Sequence, residues 1–166
     1  MKQFKYYIIL GIIFVLIMGT LSHFLYQWMN QNTLIGLFCP VNESVWEHMK
    51  LVFFPMLFYS VFLYCIFSEK LPCVTSSLPL AILYGTILIP VLFYTYTGIL
   101  GKDFMILDLA IFAVSVFAGF YILSSRSRLY KYSRFARFLW ILVFLFVIGF
   151  FIFAYFPPPL PLFESS

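Results

Sequence analysis

The chain has 166 residues, of which 64% are hydrophobic, 23% aromatic and only 10% charged, and its mean hydropathy is +1.03. A water-soluble domain carries about 45–50% apolar and about 25% charged residues, so this composition excludes a soluble globular protein and disorder alike. The formal charge of +4 does not mark a nucleic-acid binder, because the basic residues stand at the ends of apolar runs, where they orient a membrane protein.

Five apolar stretches follow one another, at about 6–29, 45–67, 78–97, 104–123 and 137–156. Each is long enough for a membrane-crossing helix, which needs roughly 20 apolar residues. Only helices and closed barrels satisfy the backbone inside a bilayer, and no stretch alternates with period two. The expected fold is therefore all-α: a single transmembrane domain over 1–166, an integral membrane bundle of five helices. The opening MKQFK and the run after it resemble a signal peptide. That run is too long for one and no A-x-A-like site follows, which makes it an uncleaved first span. Pro55 and Pro90 fall inside the second and third spans and predict kinks. The PPPLP segment at 157–161 stops the last helix and reads as extended. No internal repeat points to an inverted-repeat transporter. Cys39, Cys65 and Cys73 show no metal-ligand spacing, and Cys65, inside an apolar run, is expected to pack as a small hydrophobe.

Lys and Arg set the orientation. The segment between the fourth and fifth spans carries Arg126, Arg128, Lys131, Arg134 and Arg137. With that segment in the cytoplasm, Lys2, Lys5 and Lys70 fall on the same side, and eight of the ten basic residues lie inside, as the positive-inside rule requires. The N-terminus is then inside and the C-terminus, after an odd number of spans, outside. The regularly spaced Arg128, Lys131, Arg134 and Arg137 can also meet anionic lipid headgroups.

In this orientation one face collects both histidines and four of the six acids. His23 lies in the outer half of the first span. Glu43, Glu47, His48 and Lys50 open the second, and Lys102, Asp103 and Asp108 open the fourth. Ionisable residues within a membrane are costly and point to function. The densest string is PVNESVWEHMK at 40–50. On a helix Glu43, Glu47 and Lys50 share a face, and Ser44 and His48 form the adjoining stripe. Part of the string also reads as a helix start. Ser44-x-x-Glu47 matches a capping box, Asn42 can be the N-cap, Trp46 fits an interfacial belt, and Lys50 can snorkel or pair with Glu47. In the first span Gly19, Ser22, His23, Tyr26, Gln27 and Asn30 form a polar stripe, which must face protein or water. In the fourth, Asp103 is a candidate N-cap and Asp108 is expected to point into the bundle, on the face of Ser115 and Gly119. Tyr94 to Thr97 line a site or form an aromatic belt.

Two chemistries suit this cluster. His23, His48, Glu47 and Asp108 can hold a divalent metal, zinc or manganese, which activates water or polarises a carbonyl or phosphoryl group. Without a metal, His48 is a candidate general base, oriented by Glu43 or Glu47, with Ser44 one turn earlier as a candidate nucleophile. The expected function is that of a hydrolase or transferase with an outward-facing pocket, acting on a lipid-linked or membrane-embedded substrate. The alternative is a non-catalytic small carrier or a partner subunit of a membrane complex.

The residues Ser22-His23-Phe24-Leu25-Tyr26 and Pro40-Val41-Asn42-Glu43-Ser44-Val45-Trp46-Glu47-His48-Met49-Lys50-Leu51, followed by Phe53-Phe54-Pro55, resemble a family of small multi-pass membrane proteins of Gram-positive bacteria, a domain of unknown function. Its shared features are a His-Phe pair in the first span and a PVNES-W-EH-K-like string opening the second. The resemblance implies a bacterial plasma-membrane location and a single-domain helical bundle. It transfers no catalytic residue.

Overall fold

A computed structural model of the chain describes residues 2–71, 73–127 and 135–164. Among these residues there are helices and no strand. The helices are α1 Lys2–Trp28, α2 Thr33–Phe38, α3 Val45–Phe67, α4 Val74–Leu100, α5 Met105–Arg126 and α6 Ala136–Phe153, followed by a 3-10 turn at Pro161–Phe163. All but α2 are long and apolar enough to cross a membrane. The bounds of α3 coincide with the predicted stretch. α4 extends past its predicted stretch by about a turn at each end.

Helix α1 stops because Asn30 and Gln31 take positive φ values of 54° and 56°, the left-handed region that reverses the chain. Asn30, expected at the end of the polar stripe, thus lies outside the helix. Asn32 then caps α2, its side chain accepting from the Leu34 N–H at 2.9 Å. This short helix was not foreseen, since TLIGLF reads simply as a continuation of apolar chain. Ser44 caps α3, its hydroxyl accepting from the Glu47 N–H at 3.4 Å. Helix α3 runs through Pro55, and α4 runs through Pro79 and Pro90 to a left-handed Gly101.

Four helices close a ring: α1 packs on α3, α3 on α4, α4 on α5, and α5 on α1. Small residues allow the close approach. A Cβ on Gly19 would lie 2.6 Å from the Leu51 carbonyl, and one on Gly119 would lie 3.1 Å from the Ala81 carbonyl. This is how helices gain packing where lipid tails are as apolar as the side chains. Ser115 is fully buried beside Gly119, as the predicted stripe required. Helix α6 lies outside the ring against α4, and an aromatic layer joins it to α3: Trp46, Phe53 and Phe54 each meet Phe150.

Three expectations change. Trp46 is only 9% exposed and packs against Phe146, Phe150, Phe153 and Phe163, so it belongs to the core and not to an interfacial belt. Cys65 is exposed on the outside of α3, while Cys39 and Cys73 are buried. The proline-rich tail turns back at Pro161–Phe163 and sets Phe163 5.0 Å from Trp46. Arg128, Lys131 and Arg134 lie outside the described residues.

The bundle has two different ends. At one, the start of α1 meets the end of α3 through Phe4 and Phe67. There the Cys73 N–H also donates to the Ser127 carbonyl and Trp140 Nε1–H to the Thr75 carbonyl, joining the start of α4 to the end of α5 and the start of α6. The other end gathers the end of α1, the start of α3, the end of α4 and the start of α5. Outward faces are apolar, as at Ile9, Ile13 and Ile17 on α1 and Phe138, Phe144 and Leu145 on α6, beyond what a water-facing surface usually carries.

Candidate metal centre

His23 sits on the inner face of α1, in register with Gly11, Val15 and Gly19 at four-residue spacing, all three buried. His48 lies one turn into α3. Glu43 precedes that helix. The Asn42 side chain accepts from the Ser44 N–H at 2.9 Å, an Asx turn that folds the chain back over the start of α3. The Glu43 carboxylate reaches 3.4 Å from His48 Nε2 and 4.0 Å from His23 Nε2. The two imidazole rings are 5.5 Å apart, and one ligand atom from each of the three residues lies within 4.8 Å of the others.

The tautomer of a neutral His48 follows from its other nitrogen. Nδ1 lies 2.9 Å from the Ser44 carbonyl, which can only accept, so Nδ1 carries the hydrogen. In the neutral ring Nε2 is then an acceptor facing a carboxylate. That nitrogen is thus left free to ligate a metal ion beside the carboxylate. Imidazoles that bind metals commonly donate their second N–H to a carbonyl in this way. Two histidines and one carboxylate with an open side form the donor set of catalytic zinc sites, and the same set accepts other divalent ions. The Glu43 side chain is 58% exposed and both histidines about half that, so the cluster opens outward.

A cleft of ≈ 50 Å³ adjoins the cluster, lined by Glu43 and His48 on one side and Asp108 on the other, with Leu51, Ile89, Phe93 and Phe112 between. At roughly 10–15 Å³ per water, it has room for a few waters. Asp108 is half-buried in the first turn of α5, where the helix dipole favours a carboxylate. It accepts from the Tyr96 hydroxyl at 2.5 Å, and that hydroxyl in turn accepts from the Phe104 N–H at 3.2 Å. Phe104, not Asp103, occupies the N-cap of α5 and brings no side-chain cap. Tyr96 therefore serves the cleft from within the segment that also reads as a belt.

Glu47 faces the opposite way. Helix α3 begins only at Val45, so Glu43 and Glu47 do not share a helical face. Glu47 is 1% exposed, and its Oε2 accepts from the Val41 N–H at 2.9 Å and from Lys50 Nζ at 2.6 Å. Lys50 is fully buried and also donates to the Gly36 carbonyl at 3.0 Å. Neither Glu47 nor Asp108 stands with the two histidines in the ligand group; Glu43 does. Ser44 is buried as a cap, and His48 addresses its carbonyl, not its hydroxyl. Ser22 turns its hydroxyl to the Gly19 carbonyl, and Gln27 is exposed.

Two residues with no sequence signal hold the neighbouring α2. The Tyr155 hydroxyl donates to the Thr33 carbonyl at 2.8 Å, and Gly36 leaves room for Tyr155, Val41 and Tyr26, which a Cβ would strike. Burial holds the Tyr155 phenol above its usual range, with Tyr26 and Glu47 adding to the effect. Burial likewise pushes the Cys39 thiol up, and the Lys50 ammonium offsets part of that.

One family model, that of DUF6512, a family of unknown function, matches the chain over residues 1–166. No curated protein and no solved structure matches it.

Proposed function

The chain belongs to DUF6512, and we propose that it is a multi-pass protein of the bacterial plasma membrane that holds a divalent metal, zinc or manganese, at the outer face. In this reading it is a hydrolase or transferase for a lipid-linked or membrane-embedded substrate. The observation that carries the proposal is the meeting of His23 from α1 with Glu43 and His48 from the start of α3 and the turn before it, with the His48 ring oriented by a backbone carbonyl.

These three residues would hold the metal, which when bound supplies Lewis acidity and an activated water. The rest falls to the chain's own groups. Asp108, across the cleft, accepts a proton, and Tyr96 orients its carboxylate. Leu51, Ile89 and Phe112 keep bulk water from the cleft floor and offer an apolar wall to a lipid-like chain. The orientation that suits this role has the N-terminus inside and the C-terminus outside. It is supported by Lys5, Lys70, Arg126 and Arg137 at the end of the bundle away from the cluster.

The test is elemental analysis of detergent-purified protein after metal loading, wild type beside His23→Ala and His48→Ala. Near-stoichiometric zinc or manganese is expected, lost in both variants. A folded, monodisperse wild type without metal overturns the proposal. A second reading, a small carrier, is supported by the cleft volume of ≈ 50 Å³, which suits an ion and its waters better than a lipid headgroup. Metal-ion flux into vesicles holding the purified protein would identify the carrier.

A further inference from the structure

From the contacts of the buried Glu47–Lys50 pair we infer that these two residues are positioning residues: they fasten α2 and the 39–44 loop so that Glu43 is presented to His48. This deepens the metal-centre reading above and rests on it.

Glu43 has no helix of its own to orient it, and its side chain is more than half exposed. Its position depends on how the loop is tethered. The structure holds that loop at successive points. Lys50 Nζ donates to the carbonyl of Gly36 in the last turn of α2, where carbonyls lack partners within the helix. Glu47 Oε2 takes the Val41 N–H, two residues before Glu43. Asn42 and Ser44 close the Asx turn on either side of Glu43. The first two tethers come from side chains one helical turn apart on α3, joined to each other at 2.6 Å. His48 stands between them in sequence, on the other face. The helix that carries one ligand therefore also anchors the loop that carries another. Burial makes the tethers specific. Both side chains are at most 2% exposed, so the charged ends that hold Val41 and Gly36 are shielded from water. Partners of this kind, which touch no metal but orient what does, typically change metal affinity 10–100-fold when removed.

The experiment uses the full chain in detergent, with Cys65→Ser and Cys73→Ala leaving Cys39 as a reporter. Cys39 ends α2 and is 4% exposed, so a water-soluble maleimide reaches it only when the loop loosens. The key variant is Glu47→Leu with Lys50→Met. An apolar pair of similar volume commonly preserves folding where a single change strands a charge. Zinc alone is titrated by calorimetry, and Cys39 modification is timed with and without zinc. Expected are a 10–100-fold loss of zinc affinity, at least tenfold faster Cys39 modification, and zinc protection of Cys39 in the parent. Glu47→Gln with Lys50→Met, whose amide oxygen can again accept from Val41, is expected to recover part of both and serves if the first variant fails to fold. Unchanged affinity and unchanged Cys39 rate in a folded variant overturn the positioning role. A parent that binds no zinc overturns the metal centre instead, and the Cys39 rate then still decides whether the pair fastens the loop.

Discussion

The Nδ1–H of His48 donates to the Ser44 carbonyl at 2.9 Å, and this leaves Nε2 to the Glu43 carboxylate. Toward His48 Ser44 acts through its main-chain carbonyl, while its hydroxyl caps α3, which separates two roles that the sequence left open. Ser44→Ala is expected to cost about 1 kcal/mol of stability, the usual loss of an N-cap, while metal retention persists because the carbonyl remains. Complete loss of activity in a folded Ser44→Ala protein would instead mark a nucleophile. Glu43→Gln keeps the shape and removes the charge. It is expected to lower metal affinity at least tenfold, roughly 1.4 kcal/mol, with the melting temperature of the metal-free protein unchanged. Cys39 carries a pH prediction. Its thiol is held above the ordinary value by burial, so the folded state binds that proton more tightly than the unfolded one. The corresponding stabilisation is present below the ordinary thiol pKa and fades as pH rises through the raised folded value. Thiolate absorbance of Cys39, in a protein with Cys65→Ser and Cys73→Ala, should therefore rise at a higher pH than in an unfolded control. Similar depth in the sequence was enough to nominate His23 and His48 as ligands, but it paired them with Glu47 and Asp108 and gave Glu43 only the orienting role. The split between Glu43 and Glu47 was not legible, because it depends on α3 starting at Val45 and on the Asx turn before it.

At the scale of elements, periodicity and hydropathy marked every long helix, and α3 to the residue. They missed α2, a six-residue apolar helix whose existence depends on the Asn32 cap, the turn at Asn30 and Gln31, and its docking through Gly36 and Tyr155. The packing of α1 on α3 makes a separate prediction. A methyl on Gly19 would lie 2.6 Å from the Leu51 carbonyl, a main-chain atom that cannot swing away. Gly19→Ala is expected to destabilise by about 1–3 kcal/mol, the range for overpacking. Because His23 is one turn beyond Gly19, it should also weaken metal retention. Gly98→Ala in α4 meets nothing within 4 Å and is expected to be neutral, or to stabilise by up to about 1 kcal/mol through helix propensity. Thermal unfolding of both variants in one detergent checks the pair, and equal effects would contradict the close approach of α1 to α3.

For the whole molecule, the ionisable residues divide between two ends of one ring. The cluster end holds His23, Glu43, His48 and Asp108, with Lys102 and Asp103 in the adjacent turn, while Lys5, Glu69, Lys70 and Arg126 stand at the other. The proposed orientation then predicts the outcome of impermeant thiol labelling in intact cells. In a background without other cysteines, Lys102→Cys is expected to react from outside, and Glu69→Cys only after permeabilisation. The reverse pattern would put the cleft in the cytoplasm and remove the outer-leaflet substrate from consideration.

By itself the sequence determined the helical class, the number and near limits of the long helices, and the end at which polar residues gather. These follow from local quantities: the length of an apolar run, the cost of an unsatisfied backbone in an apolar medium, and the position of charges along the chain. Only the tertiary structure decided which polar side chains meet. It turned Glu43 to the two histidines, set the Glu47–Lys50 pair, which the spacing had offered, against Val41 and Gly36, tied Asp108 to Tyr96, and took Trp46 into the core. The physical reason is that a side chain's partner depends on where its helix begins and on which neighbours pack against each face. Those are set by contacts between segments distant in the chain, and hydropathy along it does not encode them.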